Sequence, residues 1–185
     1  MKKYLLSALC LVLAALLVAA YYGATQSNKT PSPDRQLIAF YDRLTRTIHV
    51  ENTSGTARLN RQPYSWVPAK NPGFHWSPDS RYFAITFTDK GGYSWTEFTD
   101  FAGHTAKSSH LYLRKAYIQE LCPEAATDDP DNHQNANIVI SEWLDSTHAL
   151  FKFSWPSDKP GEIISGWFTF EVPTNEITGL HLGHI

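Results

Sequence analysis

Eight histidines in 185 residues raise acid–base and metal chemistry first. His181-x-x-His184 would set two imidazoles on one side of a helical turn, a spacing zinc can use. The simpler reading is a solvent-exposed pair in a frayed C-terminal tail. Asp128-Asp129-Pro130-Asp131-Asn132-His133 gathers oxygen donors suited to a hard cation. It lacks the glycine and the closing glutamate of a calcium loop, so a solvated loop is the plainer expectation. His104, His110 or His133 set against Asp128 or Asp131 would make an acid–base cluster for a hydrolase, provided the fold brought them into one pocket. His75, beside Trp76, reads as an ordinary strand residue. Of the two cysteines, Cys10 lies in an apolar N-terminal run, which leaves Cys122 without an intrachain disulfide partner. Next to Pro123 it reads as a small apolar core residue rather than a reactive thiol.

The sequence holds no G-x-S-x-G, no phosphate-binding glycine loop, no H-E-x-x-H and no C-x-x-C. The expectation is a protein that is not an enzyme and has no cofactor and no metal. Binding is the other chemistry to consider. Tyr93, Trp95, Phe98 and Phe101 interleave with Ser94, Thr96, Glu97 and Asp100, and an aromatic, amphipathic segment of this kind suits a protein interface. These four are the candidate binding residues; plain core packing is the alternative. No basic stripe is visible and the formal charge is −2, so nucleic acid is not an expected partner.

The elements that would position these residues are strands. Six Trp, nine Tyr and ten Phe against one Met favour sheets over helices. Pro72–Asp89 is the clearest unit. Ser77-Pro78-Asp79-Ser80 is a turn, with Pro78 preset in φ and its neighbours able to bond nearby backbone. After it, Phe83, Ile85 and Phe87 alternate with Tyr82, Ala84, Thr86 and Thr88, the period of a strand. Before this unit, Leu37–Tyr41 and Thr47–Glu51 read as a hairpin and Ala57–Val67 as a less regular strand. After it come Tyr93–Phe101, a loop at His104–Ser109, a strand over Ser109–Tyr117, a short helical turn at Tyr117–Leu121 and a polar loop over Pro123–Gln134. Asn137–Trp143 and His148–Trp155 repeat the central unit around Trp143-Leu144-Asp145-Ser146. Ile163–Val172 and Ile177–Leu182 close the chain.

Residues 1–24 begin with Lys2 and Lys3 and continue as an apolar run from Tyr4 to Tyr22, just long enough to span a bilayer as a helix. Tyr21-Tyr22 suits an interfacial anchor, while Val18-Ala19-Ala20 suits a signal-peptidase site. Both readings export the rest of the chain. One leaves a single-pass inner-membrane protein with its domain in the periplasm; the other releases the domain. Thr25–Gln36, polar and without apolar periodicity, reads as a linker, with folding beginning near Leu37.

Trp76-Ser77-Pro78-Asp79-Ser80 followed by Tyr82-Phe83-Ala84-Ile85 resembles the repeat of TolB-type, WD40-like β-propellers, in which a W-S-P-D-G/S turn precedes an apolar strand. Gly166–Leu180 and Leu37–Glu51 look like the outer hairpins of such blades. The resemblance implies an all-β domain over 37–185, an antiparallel meander of blade-like units, and a scaffold for protein contacts. Four blades of about 40 residues need roughly 160, more than Leu37–Ile185 supplies. An open stack, a sandwich, or a ring completed by dimerisation all remain. The expected partner is another envelope protein, met by a toxin-neutralising immunity protein or an assembly accessory. An envelope hydrolase and a metal or small-ligand sensor are the alternatives.

Overall fold

A serine hydroxyl at the first position of two turns organises the strands around them. The computed structural model describes residues 12–13, 16–17, 29–61, 71–102, 107–108, 115–129 and 135–183. Ser77 Oγ donates to Asp79 Oδ1 at 2.6 Å and accepts from the Tyr82 N–H at 2.8 Å. The Ser77 N–H donates to the Tyr82 carbonyl, and the Ser80 N–H to the Ser77 carbonyl. The chain reverses with Ser80 at φ 64°, a left-handed conformation that these bonds hold in place.

The same device stands roughly 45 residues earlier, the spacing of a repeat. Ser32 Oγ donates to Asp34 Oδ1 at 2.6 Å and accepts from the Leu37 N–H at 3.0 Å. The Arg35 N–H donates to the Ser32 carbonyl, and Arg35 sits at φ 59°. The polar stretch before Leu37 is therefore part of the fold from Thr30 onward, not a linker up to Gln36. Its strand Thr30–Pro31 pairs with the next one, and Ser32 is buried. The two turns touch, with the Asp34 N–H donating to Ser80 Oγ. A third turn at Leu144–Thr147 uses Asp145, whose Oδ1 accepts from the Thr147 and His148 N–H groups.

Each turn opens a four-stranded antiparallel meander. The first comprises β1 (Thr30–Pro31), β2 (Leu37–Asp42), β3 (Thr47–Asn52) and β4 (Ala57–Arg61). The second comprises β5 (Gly73–Trp76), β6 (Tyr82–Thr88), β7 (Ser94–Asp100) and the short β8 (Lys107–Ser108). The third comprises β9 (Asn137–Trp143), β10 (His148–Pro156), β11 (Ile163–Glu171) and β12 (Glu176–Leu182). A single parallel bridge, Ser94 to Asn137, joins the second to the third. The expected all-β, antiparallel, blade-like architecture is what the structure shows. Of the strand expected over Ser109–Tyr117, residues 109–114 lie outside the described residues, and Lys115–Tyr117 are instead the start of helix α1 (Lys115–Leu121). Among the described residues no helix is long and apolar enough to cross a membrane. Nearly all of segment 1–24 lies outside them.

The middle meander is covered on both faces. Phe83, Ile85 and Phe87 face the first meander, whose Leu37, Ala39, Tyr41, Ile48 and Val50 join the same core. Trp76 packs tilted against Phe83, ring centres 4.4 Å apart, and donates its indole N–H to the Thr30 carbonyl. On the opposite face Phe98 meets Phe151 and Phe170 of the third meander at 5.9 and 5.6 Å, and Tyr82 meets Trp143. Such pairs add about 0.5–1.5 kcal/mol each beyond the area they bury.

Candidate functional site

The four aromatic residues expected to form a binding surface are in the core. Tyr93, Trp95, Phe98 and Phe101 are 8, 3, 1 and 2% exposed. The reason is the position of β7, which has a neighbouring meander on each side, so both of its faces are buried. Its polar residues are paired accordingly. Thr96 meets Thr86 at 3.1 Å and Ser94 meets Thr88 at 2.9 Å. Glu97, 2% exposed, accepts from the Trp95 indole N–H and forms an ion pair with Arg61 Nη1 of β4. This pair ties the first meander to the second, and both charges are committed to it.

Among the described histidines and aspartates, His148 and Asp145 form an ion pair at 2.9 Å. His181 is exposed and stacks on Trp167 at 4.2 Å; its presumed partner His184 lies outside the described residues, as do His104, His110, Asp131 and His133. His75 is half-buried, and burial holds its imidazole below the usual histidine range. Cys122 donates to Glu124 Oε2 at 3.4 Å, and burial pushes its thiol up, away from the reactive thiolate. Among the described residues no group of three His, Cys, Asp or Glu could hold a metal ion.

One polar cavity was not foreseen. It encloses about 230 Å³ where the segment between β8 and β9 meets the β10–β11 turn, and is lined by Lys115, Thr127, Asp129, Asn135, Ser157 and Asp158. Lys115, 4% exposed, donates to Thr127 Oγ1 at 2.8 Å and to the Asp129 carbonyl at 3.2 Å. Its ammonium lies 5.7 Å from the Trp155 ring centre. Burial holds that ammonium below the usual lysine range, opposed by Asp129 and Asp158. Gln119 braces the wall, its amide donating to Thr127 Oγ1 and to the Ala125 carbonyl. Asp158 Oδ2 accepts from the Asp128 N–H, which fixes the opposite wall. Nothing in the local sequence marks Lys115, because its burial comes from Trp155, which lies well downstream in the sequence.

An exposed face that the sequence did not single out is the outer face of the third meander. Register places Val139, Lys152, Trp167 and His181 in one row across β9, β10, β11 and β12. Val139, Leu150 and Trp167 are half-buried, and Ile163 is 69% exposed. Lys152 is exposed and has no ion-pair partner among the described residues. Beside the row lies a cavity of about 430 Å³, lined in part by Ser154, Ser165 and Gly166, between Lys152 and Ile163. The expected interface aromatics are thus inside, and a different tryptophan, Trp167, is at the surface.

No protein-family profile and no curated protein matches the chain. Solved structures do. Kuenenia stuttgartiensis hydrazine synthase matches with a TM-score of 0.48 at 11% identity, over 80% of this chain and 40% of that one. Pyrococcus horikoshii acylaminoacyl peptidase matches with a TM-score of 0.47 at 12% identity, over 85% and 25%. The WD40 domain of SCAP from fission yeast matches with a TM-score of 0.39 at 11% identity, over 86% and 31%. The chain spans less than half the length of each of these proteins. Likeness at this level says nothing about activity.

Proposed function

We propose that this chain is a protein-binding module, a TolB-type blade-like scaffold belonging to an exported envelope protein, and that it is not an enzyme. The observation that carries the reading is the outer face of β9–β12. Inside the molecule, sheet faces of this kind stack twice, first meander on second and second on third. The third meander then presents one more face, with Trp167 and Leu150 on it beside a cavity lined by Val139, Ile163 and Lys152. A partner with an apolar side chain for the cavity and a carboxylate for Lys152 would complete it.

The sequence is what supports the envelope compartment. Lys2, Lys3 and the apolar run Tyr4–Tyr22 support export, with that run either holding the domain at the inner membrane or being removed. An immunity-type or assembly-accessory role fits a module of this kind, with another envelope protein as partner.

The test is affinity capture of the full chain from its native envelope extract, comparing the unaltered protein with Ile163→Asp. One partner retained in stoichiometric amount and lost on Ile163→Asp supports the reading. Retention unchanged by Ile163→Asp, or no partner at all, contradicts it.

A further inference from the structure

We infer that the outer face of β9–β12 seats a second copy of this chain about a two-fold axis. The inference rests on the protein-binding reading of that face and names what occupies it. Phe151, Phe153, Phe168 and Phe170 belong to the core, so alternation turns Leu150, Lys152, Thr169 and Glu171 outward. Charges of opposite sign stand apart on this face. Lys152 is in register with Trp167, and Glu171, four residues further along β11, is in register with Glu176 of β12. None of Lys152, Glu171 and Glu176 is in an ion pair among the described residues. Glu171 accepts the Thr174 hydroxyl, and His148, its register partner on β10, is held by Asp145. Two carboxylates directly opposite each other across strands repel. That end of the face calls for a cation, and Lys152 calls for a carboxylate.

A second copy supplies both at the right spacing. Lys152 and Glu171 lie roughly 13 Å apart along the strands, and the register pair Leu150–Thr169 stands midway between them. A two-fold axis crossing the face at that pair sets each Lys152 over the other copy's Glu171, and Leu150 against Leu150. Stacked sheets lie roughly 10 Å apart, a gap that extended lysine and glutamate side chains span. The contact is isologous, one patch serving on both subunits, as a closed dimer requires. An acidic partner would satisfy Lys152 and be repelled by Glu171 and Glu176; a basic one would do the reverse. Sheet-on-sheet packing is also the contact this chain makes twice within itself.

The experiment is sedimentation velocity of the purified full chain in detergent micelles over a concentration series. Lys152→Glu, Glu171→Lys and an equimolar mixture of the two variants are run alongside. A concentration-dependent dimer is expected for the unaltered chain. Each variant alone sets like charges against each other in both contacts and should weaken the dimer about tenfold or more. The mixture should restore it, because every facing pair is then opposite in sign. A dimer made through the apolar run Tyr4–Tyr22 would ignore both substitutions. Melting curves check that each variant is folded, and Glu176→Lys replaces Glu171→Lys if loss of the Thr174 bond unfolds the latter. A monomer at every concentration, a dimer that both variants leave unchanged, or no recovery on mixing overturns the inference. Capture of a different protein through Ile163, by a chain that stays monomeric, would overturn this inference alone and leave the binding-face reading standing.

Discussion

Ser32→Ala should destabilise this protein as much as Ser77→Ala, although Ser32 lies in a stretch with no apolar periodicity. The two hydroxyls do the same work. Each donates to an aspartate at 2.6 Å and accepts a backbone N–H, at 3.0 Å for Ser32 and 2.8 Å for Ser77. They are 1 and 0% exposed. Alanine leaves the N–H of Leu37 or Tyr82 without its acceptor in a place water does not reach, and an orphaned buried donor costs about 1–3 kcal/mol. For a domain of this size each kcal/mol lowers Tm by about 2–4 °C, so both variants should melt about 2–12 °C lower. Urea denaturation followed by tryptophan fluorescence, with calorimetry on the same samples, measures both. If Ser77→Ala is destabilised and Ser32→Ala stays within about 0.5 kcal/mol of the parent, residues 30–36 lie outside the cooperative fold and the three-meander description fails.

Three further outcomes are expected. Arg61→Met strands the Glu97 carboxylate inside the core and should cost about 3–5 kcal/mol, with Glu97→Gln in the same chain recovering most of the loss in a denaturant titration. His75 is held below its ordinary pKa by burial, so between that lowered value and about 6.5 the unfolded chain binds more protons. Stability should therefore fall as pH drops below about 6.5, and His75→Gln should flatten this slope in denaturation midpoints measured across pH. Gly166→Ala would drive a Cβ into the His181 carbonyl and the Phe153 ring, lowering Tm by the equivalent of about 1–3 kcal/mol or more.

The strands were legible where turn chemistry and alternation agreed. Ser77-Pro78-Asp79-Ser80 and the Phe83, Ile85, Phe87 series define a turn and a strand by local physics alone, and the structure has both. Ser32-Pro33-Asp34 carries the same hydroxyl and carboxylate, but Pro31 stands where the second copy has Trp76, and Arg35 takes the left-handed position. The strand before it is only Thr30–Pro31, too short for alternation to register. The Tyr93–Phe101 segment misled for a different reason. Alternation shows that a strand has two faces; it does not say how many of them another sheet covers. With both covered, Ser94, Thr96 and Glu97 are buried polar residues satisfied across strands and between meanders, not a wet interface. Lys115 and the outer face of β9–β12 depend on which segments stack, a property of the folded chain that no window of sequence contains.

The most direct test of the central claim is site-specific photo-crosslinking in native envelopes. A photoreactive residue at Ile163 or Leu150, on the outer face of the third meander, is compared with one at Leu44, 50% exposed in the β2–β3 turn of the first. The account predicts a crosslink to one and the same protein from positions 163 and 150, and none from 44. Crosslinks of equal yield from all three, or from 44 alone, would contradict a binding face on the third meander.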